Sequence, residues 1–78
     1  MREARFVNLN KEKWSRMERM DHLDADTLAE NYVALADDLS YARTFFPGSE
    51  VERYLNGLAG AYQTNIYGRD RRERRGAL

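Results

Sequence analysis

The stretch PGSEVE, residues 47–52, separates two segments of helical periodicity and constrains this chain more than any other six residues. Pro47 cannot continue a helix, because it has no N–H and its ring collides with the preceding turn. Gly48 tolerates the backbone geometry in which helices commonly end. Ser49 followed by Glu52 is a capping box. The hydroxyl takes the amide three residues on, and the carboxylate reaches back to the amide of the capping residue itself. One helix must stop here and another begin within a few residues. A connection that short makes the two helices antiparallel neighbours.

The segments on either side read accordingly. DADTLAENYVALADDLSYARTFF, residues 24–46, places Leu28, Tyr32, Leu35, Leu39, Ala42 and Phe46 on one face at helical spacing. Asp24 is the expected N-cap, and Asp26 sits where the positive end of the helix favours an acid. A second row, Ala34, Asp38, Tyr41 and Phe45, runs beside the first. Two adjoining stripes suit a helix with a neighbour on each flank. The segment after the turn carries Val51, Leu55, Leu58, Tyr62 and Ile66 on one face, with Tyr54 and Ala59 at its margins. Upstream, REARFVNLNKEKWSRMERM, residues 2–20, groups Phe6, Trp14, Met17 and Met20 in one arc, with Lys13 at its edge. Asn8 and Asn10 weaken its early turns.

The expected fold is therefore all-α, a small three-helix up-down-up bundle. Residues 1–68 form the bundle and residues 69–78 a basic C-terminal segment. At 78 residues the chain is close to the lower limit for a self-sufficient core, and it has no cysteine to supply disulfides or thiolate metal sites. No apolar run approaches the roughly 18–20 residues that a spanning helix needs, so the piece by itself is expected to be soluble.

Groups that could carry chemistry are sparse. DHLDAD gathers Asp21, His22, Asp24 and Asp26, but a calcium-loop register starting at Asp24 puts Leu28 at a ligand position and lacks the turn glycine. Capping and helix-end electrostatics account for these acids without a metal. Asp37 and Asp38 point about 100° apart on a helix and cannot act as facing carboxylates. Asp38 is expected to bond a tyrosine hydroxyl or a basic group on a neighbouring helix, and Arg43 to pair with a carboxylate. There is no glycine-rich phosphate loop, HExxH or G-x-S-x-G. The expectation is a non-enzyme with no catalytic residue, metal or cofactor. Two surfaces stand out instead. One is the Tyr41 and Phe45 flank; the other is a small-residue patch of Gly57, Ala61 and Thr64, with Gly60 beside it, that could admit a second helix and so a homo-oligomer.

The zero formal charge conceals a division. Residues 1–68 hold eight Lys/Arg against eleven Asp/Glu, and residues 69–78 five against two, so −3 is followed by +3. The basic end, Arg69, Arg71, Arg72, Arg74 and Arg75, has two acids among its arginines and no interleaved aromatic, so no nucleic-acid partner is expected. Its pattern suits a juxtamembrane segment facing anionic lipid.

DDLSYARTFFPGSEVERYLNGL, residues 37–58, together with REARFVNLNKEKW near the start, resembles the cytoplasmic N-terminal region of the stage II sporulation protein M family. The likeness is to the version found in Bacteroidetes. These are polytopic bacterial membrane proteins, and in spore-formers they belong to a complex that remodels septal peptidoglycan. The resemblance implies a truncated piece of a longer protein, on the cytoplasmic face of the inner membrane. It implies a docking or assembly role among other membrane-associated proteins. It transfers no catalytic residue. The alternative function is a free-standing helical interaction or oligomerisation module.

Overall fold

The computed structural model describes residues 2–76, with side chains described for residues 2–68. Three helices follow one another: α1, Glu3–Met17; α2, Ala25–Phe45; and α3, Glu50–Gly76. Among the described residues there is no strand. The expected all-α three-helix bundle is the observed one, and its contacts run up-down-up. Phe6 near the start of α1 meets Tyr41 near the end of α2, with ring centroids 4.9 Å apart. Asn31 early in α2 meets Tyr62 midway along α3. Met17 at the far end of α1 and Met20 just beyond it meet Tyr62 and Asn65.

The local signals act at the helix ends. Asp24 caps α2 by accepting from the Thr27 amide at 2.8 Å, satisfying one of the orphan donors of the first turn. At the other end Gly48 has φ +76°, a left-handed conformation that costs a residue with a Cβ roughly 1–2 kcal/mol. The Ser49 hydroxyl accepts from the Glu52 amide at 3.1 Å, as the capping box requires. The return contact differs from expectation. Glu52 Oε1 takes the amide of Gly48 at 2.6 Å, one residue further out, because the Ser49 amide already bonds the Phe46 carbonyl. The left-handed glycine turns its N–H inward to meet the carboxylate.

The core consists of the residues the apolar spacing identified. Leu28, Leu35, Ala42, Leu55 and Tyr62 are fully buried, with Phe6, Trp14, Met17, Met20, Leu39, Val51, Leu58 and Ala59 around them. Tyr32, Phe46 and Ile66 lie at its edge, half-buried against it. Close backbone approach is concentrated between α2 and α3. α1 stands further off on bulky side chains, Phe6, Trp14 and Met17, and meets the other helices mainly through rings and polar tips. The start of α1 is not lost to its asparagines. Asn10 turns its amide back onto the Phe6 carbonyl at 2.9 Å, within the helix.

Candidate docking surfaces

Polar contacts attach α1 to the α2–α3 hairpin. Asp38 on α2 presents one oxygen, Oδ2, to two donors: Trp14 Nε1 at 2.8 Å and Lys13 Nζ at 2.9 Å. The tryptophan is only 2% exposed, so its N–H has a partner without the ring leaving the core. Of the two partners expected for Asp38, the basic group is found, and an indole stands where a tyrosine hydroxyl was the other candidate. Arg43 pairs with Glu52 at 3.6 Å and donates to Asn56 Oδ1 at 3.1 Å, joining α2 to α3 at the surface.

The α1–α3 seam carries two tyrosines. The Tyr54 hydroxyl donates to Glu18 Oε2, and its ring lies 5.8 Å from Trp14. Desolvation raises the Tyr54 pKa, and the hydrogen bond and negative charge of Glu18 raise it further. The phenol is thus a fixed donor at physiological pH and not a base. Tyr62, fully buried, donates to the Met17 carbonyl and accepts from Asn31 Nδ2 at 3.1 Å, joining all three helices through one hydroxyl.

At the first expected surface Tyr41 and Phe45 form an aromatic ledge. Phe45 is 59% exposed, and its ring centroid lies 4.6 Å from that of Tyr41. Tyr41 in turn stacks on buried Phe6. The exposed ring therefore rests on a chain of rings ending in the core, which limits the side-chain freedom it has left to lose on binding. The second expected surface is also open. Gly57, Gly60, Ala61 and Thr64 are all exposed, and a Cβ built on either glycine meets nothing within 4 Å. These glycines accommodate no close contact within the chain. The side chains of Arg69, Arg71, Arg72, Arg74 and Arg75 lie outside the described residues, although the α3 backbone continues through these positions.

The acidic stretch before α2 does not converge. Asp21, His22, Asp24 and Asp26 are exposed, and Asp24 is engaged as the cap. Among the described residues no group of three or more His, Cys, Asp or Glu could hold a metal ion. Asp37 faces solvent.

One site was not anticipated. A basin of about 650 Å³ lies between the last turn of α1, the following loop and α2, and it is lined by Lys13, Arg16, Arg19 and His22 among others. Its signal in the sequence is a basic residue at every third position from 13 to 22. That spacing spreads around a continuous helix, and only the end of α1 at Met17 lets the last members turn toward α2.

No helix among the described residues is long and apolar enough to cross a membrane. Fold and surfaces together define a small helical bundle whose distinctive features are exposed faces on a hydrogen-bonded frame. The chain belongs to the family described as Domain of unknown function (DUF8413), whose model matches residues 4–68. No curated protein and no solved structure matches it.

Proposed function

We propose that this chain is a non-catalytic docking and assembly domain of a bacterial integral membrane protein, working on the cytoplasmic face of the inner membrane. The resemblance of residues 37–58 to the stage II sporulation protein M family supplies the setting. The observation that supports a docking role is the ledge of Tyr41 and Phe45, an exposed aromatic pair seated on the core through Phe6. Anchored aromatics of this kind are the usual centres of binding energy at protein interfaces. Their partner in this reading is another membrane-associated protein. The arginine-rich end of α3 faces anionic lipid, where each cation near the surface gains about 1 kcal/mol.

The reading is tested in the intact protein. Its reading frame is expected to encode long apolar segments, and Phe45→Ser is expected to abolish co-purification with its membrane partner while leaving the domain's Tm unchanged. A frame without apolar segments overturns the membrane setting, and unchanged co-purification overturns the ledge.

A second reading has its own observation. The strip of Gly57, Gly60, Ala61 and Thr64 is open along one face of α3 and suits close approach of a second helix. A free-standing oligomerisation module predicts a tight dimer by sedimentation without lipid, dissolved by Gly57→Leu. A monomer rejects it.

A further inference from the structure

We infer that the basin beside the last turn of α1 is a binding site for a phosphate-bearing anion. Its rim is made by Lys13 and Arg16 on α1 and by Arg19 and His22 in the connection to α2. Met17 and Asn31 complete its wall. Among the described residues no carboxylate lines it. Residues 1–68 carry a net charge of −3 on eight Lys/Arg and eleven Asp/Glu, so three of those eight cations have been gathered around one concavity of an otherwise acidic body.

The cations differ in how far they are engaged. Lys13 is shared with Asp38 at 2.9 Å. Arg16 and Arg19 are exposed and make no ion pair or hydrogen bond with a described side chain, so both guanidinium forks remain available. A fork that offers parallel N–H donors matches phosphate oxygens two at a time. The carbonyl end of α1 opposes an anion with about half a unit charge, less than two free guanidinium groups supply.

The floor is held in place independently of any ligand. Asn31 donates to Tyr62, and Tyr62 donates to the Met17 carbonyl, so one hydrogen-bonded chain fixes the wall residues from α1 and α2 against α3. The nearby acids Asp21 and Asp24 do not line the basin, and Asp24 is occupied at the α2 amides. Position adds a further argument. α1 and α3 run parallel, with Met20 beside Asn65, so the basin lies at the end of the bundle from which α3 continues toward its arginines.

Where that end faces a membrane, the anion is a lipid phosphate; otherwise it is a soluble phosphate monoester. The lipid source rests on the membrane setting proposed above, and the site itself does not.

The test uses the full chain, with inorganic phosphate in one arm and phosphatidylcholine vesicles containing phosphatidic acid in the other. Amide and side-chain NMR shifts are expected to saturate at Arg16, Arg19, His22 and Asn31. The exposed double variant Arg16→Gln/Arg19→Gln is expected to weaken binding about tenfold or more, as loss of charge-assisted contacts does. Saturation with phosphate identifies a soluble anion as sufficient, and saturation with vesicles alone identifies the headgroup; both support the site. Absence of saturable shifts in both arms overturns it, as does undiminished affinity in the double variant. Vesicle binding that survives the double variant but is lost on substituting Arg71 and Arg72 also overturns the basin, while leaving the membrane setting standing.

Discussion

Asp38 offers the sharpest test of how α1 is held. Its Oδ2 serves two donors at nearly equal distance, 2.8 Å from Trp14 and 2.9 Å from Lys13, yet their contributions should differ. The indole is 2% exposed, and removing its acceptor strands a donor away from water, which costs about 1–3 kcal/mol. The Lys13 side chain is 38% exposed, so solvent screens the ion pair, which contributes about 0–1 kcal/mol. Asp38→Ala should therefore lower unfolding stability by about 1–4 kcal/mol, the sum of a stranded indole and a weak pair. Lys13→Ala should stay below about 1 kcal/mol. Asp38→Asn keeps an acceptor while removing the charge, and should fall between them. Urea unfolding followed by far-ultraviolet circular dichroism, with tryptophan fluorescence as a second probe, measures all three. A domain of this size is expected to have only about 3–5 kcal/mol in total, so Asp38→Ala should move the midpoint far down the urea axis. Equal losses for Lys13→Ala and Asp38→Ala would refute the assignment of the dominant contact to the indole. So would an Asp38→Ala loss below about 0.5 kcal/mol.

Three further outcomes follow from burial, capping and titration. Leu55→Ala, at a fully buried site, should cost about 2–5 kcal/mol, whereas Val33→Ala, 60% exposed, should remain within about 0.5 kcal/mol in the same urea assay. Asp24→Ala removes the acceptor of the Thr27 amide and should cost about 0.5–2 kcal/mol, with hydrogen exchange accelerated selectively in the first turn of α2. Tyr54 has a raised pKa in the fold, so above about pH 10 the unfolded chain loses this proton while the folded chain retains it. Proton occupancy is then greater in the native state, and stability falls as pH rises. Alkaline unfolding should accordingly be steeper for the wild type than for Tyr54→Phe, and identical alkaline limbs would contradict the raised pKa that desolvation and Glu18 give Tyr54.

Local rules made much of this molecule legible before its structure. Apolar residues at helical spacing must share a face whatever surrounds the helix, and that face must be buried to stabilise a short helix. Leu28, Leu35, Leu39, Val51, Leu55, Leu58 and Tyr62 are accordingly all in the core. The helix boundaries at Asp24 and at residues 47–49 were equally readable, because a cap acts within a few residues of itself. The two candidate surfaces followed from the same wheels. Phe45 lies outside the main apolar face, and the small residues of α3 lie opposite its core stripe.

What could not be read from periodicity was decided by contacts between residues remote in sequence. A helical wheel gives the direction of Asp38 but not which donor arrives there. Only the approach of α1 put the Trp14 indole rather than a tyrosine hydroxyl against it, across 24 positions of sequence. The Tyr62 bonds to Asn31 and Met17 span 31 and 45 positions, beyond the reach of any local rule. The basic basin has the same origin. The spacing of Lys13, Arg16, Arg19 and His22 scatters charge around a helix, and these residues converge because α1 ends at Met17 and the chain folds back against α2. Amphipathic pattern and capping chemistry are short-range and sufficed for the helices and their buried faces. Partner choice among polar groups depends on how those helices dock, and the tertiary structure alone decided it.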